Sequence, residues 1–133
     1  MPYRILSHTA DIGIEATAID IPTLFSEAVR ACAAVILDAT PPEPVASVPV
    51  AVESDDVAAL LAALLGEAVW TFESTGRLPV AADLEVSSTT AAGTLGVVDD
   101  VTVGGPAIKA VTYHQLLVEH VPDGWRAQVF LDV

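Results

Sequence analysis

The hydrophobic residues of this chain twice lengthen their period from two residues to that of a helix, and few folds accommodate such a pattern. Ile12, Ile14, Ala16 and Ala18 alternate with Gly13, Glu15 and Thr17, as in a half-buried strand. From Ile21 the spacing becomes helical: Ile21, Leu24, Phe25, Ala28, Cys32 and Ile36 share a face, with Asp20 as cap and Pro22 in the first turn. VPVAVE (Val48 to Glu53) alternates again. A second helical stripe then runs through Val57, Leu60, Leu61, Leu64, Leu65, Ala68 and Phe72 to a stop at Gly76. Ser54 is read as its cap, with Asp55 and Asp56 placing negative charge where a helix N-terminus favours it.

The rest of the chain reads as strands. ATPPEPVASVPV (Ala39 to Val50) is a Pro-rich extended connector entering an edge strand. DLEVSST and AAGTLGVV form two weaker strands. IKAVTYHQLLVEH, the turn Pro122-Asp123-Gly124 and WRAQVFLDV form a long hairpin, with Trp125, Ala127, Val129 and Leu131 on the inward set. No internal repeat is present. The expectation is α+β: one domain over residues 1–133, a mostly antiparallel sheet with two amphipathic helices packed on one face.

Composition excludes several function classes. Five Lys and Arg against eighteen Asp and Glu give a formal charge of −13. The cations Arg4, Arg30, Arg77, Lys109 and Arg126 are scattered singly, so direct, tight nucleic-acid binding is not expected. An acidic surface fits solubility, a basic protein partner or bound cations. No apolar run is read as spanning a bilayer, and the start MPYRILSHTADIG shows no secretory signal. Cys32 is the only cysteine and lies on the apolar helix face, which excludes an internal disulfide and a zinc cluster and indicates packing. A reduced, cytoplasmic setting is the simplest reading. Neither a nucleotide-binding glycine loop nor a nucleophile motif is present.

Two aspartates draw attention by position. Asp11 opens the first alternating strand and Asp132 sits next to the end of the last. Either they are a turn residue and a solvated strand end, or the two strands are antiparallel neighbours. In the second case the side chains converge with the α-carboxylate of Val133, and oxygen ligands of that kind suit Ca²⁺ or Mg²⁺. His8 is placed to orient Asp11, or belongs to an ordinary Ser7-His8-Thr9 turn. His114 and His120 are read on one face of one strand, too far apart for a shared metal. Lys109, the only lysine, is either solvated or paired with an acidic group. Glu73 stands at the second helix's C-terminal end, against the dipole, as an exposed residue or a functional one.

HTADIGIEA, GPAIKAVTYHQLLVE and the closing DGWRAQVFLDV, in that order and at these distances, resemble the archease family over nearly the whole chain. The resemblance implies a small α+β domain acting as a protein cofactor of the GTP-dependent tRNA-splicing RNA ligase. Such a cofactor promotes guanylylation of the ligase and multiple turnover. It also implies a divalent cation, Ca²⁺ first and Mg²⁺ or Mn²⁺ after it, held by Asp11, Asp132 and Val133, with Lys109 as a functional contact. His8 and Glu73 are further candidate partner contacts. The second helix departs from the family pattern: it reads ALLGEAVW and ESTG, placing Glu73 where the family has Asp and Thr75 where it often has Glu. The alternatives are a chaperone-like modulator of a tRNA methyltransferase and a hydrolase that activates water on a cation held by Asp11 and Asp132, with Lys109 or His114.

Overall fold

Two aspartates fix where the helices begin. Asp20 accepts the Thr23 N–H at 2.8 Å and starts α1 (Ile21–Leu37). Asp56 accepts the Ala59 N–H at 2.8 Å and starts α2 (Val57–Thr75). The second cap is therefore Asp56 and not Ser54, whose backbone N–H instead donates to Thr89 C=O. α2 stops at Gly76, which donates its N–H to the Phe72 carbonyl at 2.8 Å.

The structure, a computed structural model, describes residues 2–7 and 11–133. Its strands are β1 (Tyr3–Ser7), β2 (Asp11–Ala18), β3 (Ala46–Glu53), β4 (Leu78–Val86), β5 (Thr90–Val98), β6 (Ala110–Val111), β7 (Leu117–Val121) and β8 (Gly124–Asp132). All described pairings are antiparallel, and they make two sheets. One has the order β1-β2-β8, with β6 and β7 both lying along the far edge of β8; the other is β3-β5-β4. The Pro-rich connector does enter an edge strand, β3, as expected.

α1 packs against β2 of one sheet and β4 of the other, and α2 covers the three-stranded sheet and reaches β6 and β7. Ser26 ties α1 to β4 by accepting the Ala82 N–H at 2.9 Å. The result is one apolar core that gathers Leu24, Phe25 and Val29 of α1, Leu60, Leu64 and Leu65 of α2, and Ile14, Val129, Val80 and Leu95 of the two sheets. No polar or charged residue is fully buried among the described residues. α2 meets the length and composition of a membrane-spanning helix, but its leucine face is committed to this core. Cys32 is packed there as expected, and burial pushes its thiol up to about 12.

The long hairpin arm expected from IKAVTYHQLLVEH is interrupted. Val111 faces Leu131 and Leu117 faces Gln128, so six steps along one arm match three along the other. The three extra residues make a turn at Tyr113–Leu116, with Gln115 at φ 51°. His114 and His120 consequently lie on different elements and do not share a face.

Replacing Asp56 by Ala is expected to lower unfolding stability in urea by about 1 kcal/mol. Ser54→Ala should change it by less than about 0.5 kcal/mol, and the reverse order would contradict the cap assignment.

Candidate functional site

The core set of β2 is Ile12, Ile14 and Ala16, and that of β8 is Ala127, Val129 and Leu131. Pairing the strands with both sets inward leaves Asp11, Gly13, Glu15 and Thr17 outward, beside Asp132, Phe130, Gln128 and Arg126. In that register Asp11 stands directly opposite Asp132. A one-residue slip would turn every core side chain to the surface, so the apolar pattern keeps both aspartates on the outward face, and the register sets them opposite each other. Both aspartates are half-buried, and neither side chain has a hydrogen bond or ion pair among the described residues. Like charges directly opposite on an antiparallel pair are destabilising, which makes this end of the sheet a place for a positive group. Val133 follows, its side chain packed against the core.

Lys109 is delivered to the same end. Its backbone N–H donates to Asp132 C=O at 2.8 Å, while its side chain is exposed. The loop carrying it is seated on the C-terminus of α1, where Gly105 N–H donates to Ile36 C=O at 2.9 Å. A Cβ on Gly105 would stand 2.0 Å from the Val35 carbonyl oxygen, so only glycine permits this approach. Ile108 then buries into the core, and Lys109 follows with its backbone on Asp132 and its side chain exposed. Nothing in the local pattern of VGGPAIK announces this, because the contact is with a helix some seventy residues earlier. Lys109 is the one cation whose side chain has no partner among the described residues. Arg4, Arg77 and Arg126 are in ion pairs, and Arg30 donates to Pro41 C=O.

Next to the aspartates, Phe130 faces Gly13 across the β2–β8 pair. A Cβ at Gly13 would lie 2.8 Å from Phe130 Cε1 and 3.0 Å from Leu6 Cβ, so the glycine makes room for the ring to lie across the sheet. His114 meets the ring of Phe130 edge-on at 5.7 Å between centroids. The Asp11–Gly13 spacing thus combines a carboxylate and an aromatic platform at one strand end.

The family model for the archease protein family (MTH1598/TM1083) matches residues 3–133. The chain belongs to the archease family. The solution structure of protein 1598 from Methanobacterium thermoautotrophicum is 23% identical, covers 99% of both chains and superposes with a TM-score of 0.77. The crystal structure of TM1083 from Thermotoga maritima, described as an archease and possible chaperone, is 19% identical, covers 96% of this chain and 94% of its own, with a TM-score of 0.65. Both show the archease fold. A search of curated proteins gives no match.

Within this archease fold the other candidates are dispersed. Glu73 is exposed at the end of α2, on a different element from the aspartate pair. His8 lies outside the described residues. His120 meets the Trp125 ring at 4.9 Å, at the far end of β8 from Asp132, with Trp125 half-buried on the inward set. An open cleft of about 500 Å³ also lies at that far end, lined by Thr17, Ile19, Val121 and Trp125, and not at the carboxylates. No group of three His, Cys, Asp or Glu side chains is placed to hold a metal among the described residues. The two aspartates alone make an incomplete set, and a cation there needs further oxygen donors.

Further along the same face lies an ion-pair ladder that sequence reading missed. Glu15 accepts from Arg4 Nε at 2.8 Å and from Arg126 Nη2 at 2.8 Å, and Arg126 Nη1 reaches Glu119 at 2.9 Å. It crosses β1, β2, β8 and β7 and braces the pairing that sets the aspartates opposite each other. The hydrogen bond from Arg4 holds the Glu15 carboxyl below its usual 4.5, with Arg126 adding to this against the opposing effect of burial. A depressed folded-state pKa gives stability that is present above the unfolded value and lost as pH falls through the folded one. Thermal unfolding should therefore show Glu15→Gln less stable than wild type at pH 7, with the gap narrowing as the pH falls below about 4.5. A gap that stays constant across that range would contradict the ladder.

Proposed function

We propose that this archease is a non-catalytic protein cofactor of the tRNA-splicing RNA ligase, promoting the ligase's guanylylation and multiple turnover. Its working end carries a divalent cation, most simply Ca²⁺, with Asp11, Asp132 and the Val133 carboxyl as ligands. The observation that carries the reading is the direct opposition of Asp11 and Asp132 with no cationic partner among the described residues. Two hard carboxylate donors suit Ca²⁺ or Mg²⁺ rather than a metal that prefers sulfur or imidazole. The Val133 carboxyl and water would complete the oxygen shell. A bound cation would neutralise the pair and fix its geometry for the partner.

Other features support a protein partner over RNA. Four of the five cations are engaged within the chain, leaving Lys109 alone to meet an acidic group. The only thiol is buried and protonated near neutral pH, so it supplies no nucleophile. The cofactor acts by binding the guanylylation-competent ligase more tightly than the other state, since only differential affinity shifts an equilibrium. The cytoplasm is the setting that follows.

The description of the Thermotoga maritima relative as a possible chaperone favours a second reading, a chaperone-like modulator of a tRNA methyltransferase. Single-turnover guanylylation of the cognate ligase with GTP distinguishes the two. Substoichiometric wild-type protein should accelerate it, and Asp11→Ala should abolish the acceleration. Equal activity of Asp11→Ala would remove the metal site from the function. No acceleration by wild type would favour the chaperone reading.

A further inference from the structure

The solvent face of α2 carries a large aromatic group that the fold does not use. Trp70 is 62% exposed and makes no hydrogen bond or ring contact with any described residue. One turn before it stands Gly66, in the interior of the helix, where glycine costs up to about 1 kcal/mol relative to alanine. No packing among the described residues explains that glycine: a Cβ there would meet nothing within 4 Å. Gly66 and Trp70, four residues apart, are neighbours on one face, so a bare stretch of backbone lies beside an exposed indole. Glu67 and Glu73 flank the indole one turn to either side, and both are exposed. α2 contains no Lys or Arg, so nothing on the helix neutralises them.

We infer that this face of α2 is a docking surface for a basic, arginine-bearing segment of a partner protein, with Trp70 as its anchor. The missing side chain at Gly66 lets a partner backbone or apolar side chain approach closely. The indole face offers a cation–π contact to a guanidinium, and Glu67 and Glu73 provide the carboxylates to pair with it. Charge selects this occupant. A second copy of the chain brings another −13 to the contact, and nucleic acid or an anionic lipid surface would be repelled in the same way. The surface lies on a different element from the β2–β8 carboxylates and stands independently of the ligase reading.

The test uses the whole chain and a synthetic amphipathic helical peptide built from Arg and Leu, with a Glu-for-Arg version as control. Amide and indole N–H resonances are followed by two-dimensional NMR as peptide is added. The chain has two tryptophans, so the indole signals of Trp70 and Trp125 report separately. The Arg peptide should shift the Trp70 indole and the amides from Gly66 to Ser74, leave the Trp125 indole in place, and have no acidic counterpart. Trp70→Ala, at an exposed position, should keep the fold and weaken binding roughly tenfold or more. Gly66→Gln should keep or raise the melting temperature, as a better helix former, yet also weaken binding. The inference is overturned by absence of binding, by shifts spread over the acidic surface, or by unchanged affinity of Trp70→Ala. Trp70 shifts that depend on the concentration of the chain alone would assign the face to a second copy and overturn it equally.

Discussion

The pairing of β2 with β8 is the constraint on which the rest depends. It joins residues 11–18 to residues 125–132, and it is the only described link between the β1–β2 ribbon and the other strands of its sheet. Its register is chosen by the core: Ile12, Ile14 and Ala16 must face inward together with Ala127, Val129 and Leu131. Burying those six side chains sets two carboxylates opposite each other at the sheet end. The molecule thus tolerates a local repulsion, worth a fraction of the burial energy, as a by-product of a pairing that the core requires.

Three supports hold that sheet and its acidic end. The Glu15 ladder ties four strands together on the outer face. Phe130 lies over the gap at Gly13 and meets His114, which the three-residue excess in the hairpin arm brings round. The Gly104-Gly105 pair seats a loop on the end of α1 and sends Lys109 out beside Asp132. Each draws on a different part of the chain, so the acidic end is held from several sides.

The physics of what was legible in the sequence is clear from particular residues. Both helices and most of the strands were visible because apolar period is a local property; Asp20 and Gly76 marked boundaries through local hydrogen bonds. The Ser54 cap failed because Ser and Asp are near-equal caps and the choice between neighbours depends on where the incoming strand ends. β1 was missed, since five residues with one arginine carry little pattern, and the split between β6 and β7 hides in a sequence that alternates plausibly throughout. The α+β class was legible, but the division of strands into two sheets was not, because pairing partners are long-range. For the site, the sequence supplied a condition, that two strands be antiparallel neighbours, and only the register shows it met. The loop glycines and the Glu15 ladder depend on contacts between distant segments and leave no local mark.

Whether the opposed aspartates form a cation site is tested most directly by calorimetric titration of Ca²⁺ into metal-free protein at neutral pH, with Asp11→Asn alongside. One site per chain in the wild type, lost or strongly weakened in Asp11→Asn with the melting temperature in chelator unchanged or raised, is the expected result. Absence of binding in the wild type, or equal binding by the variant, would contradict it.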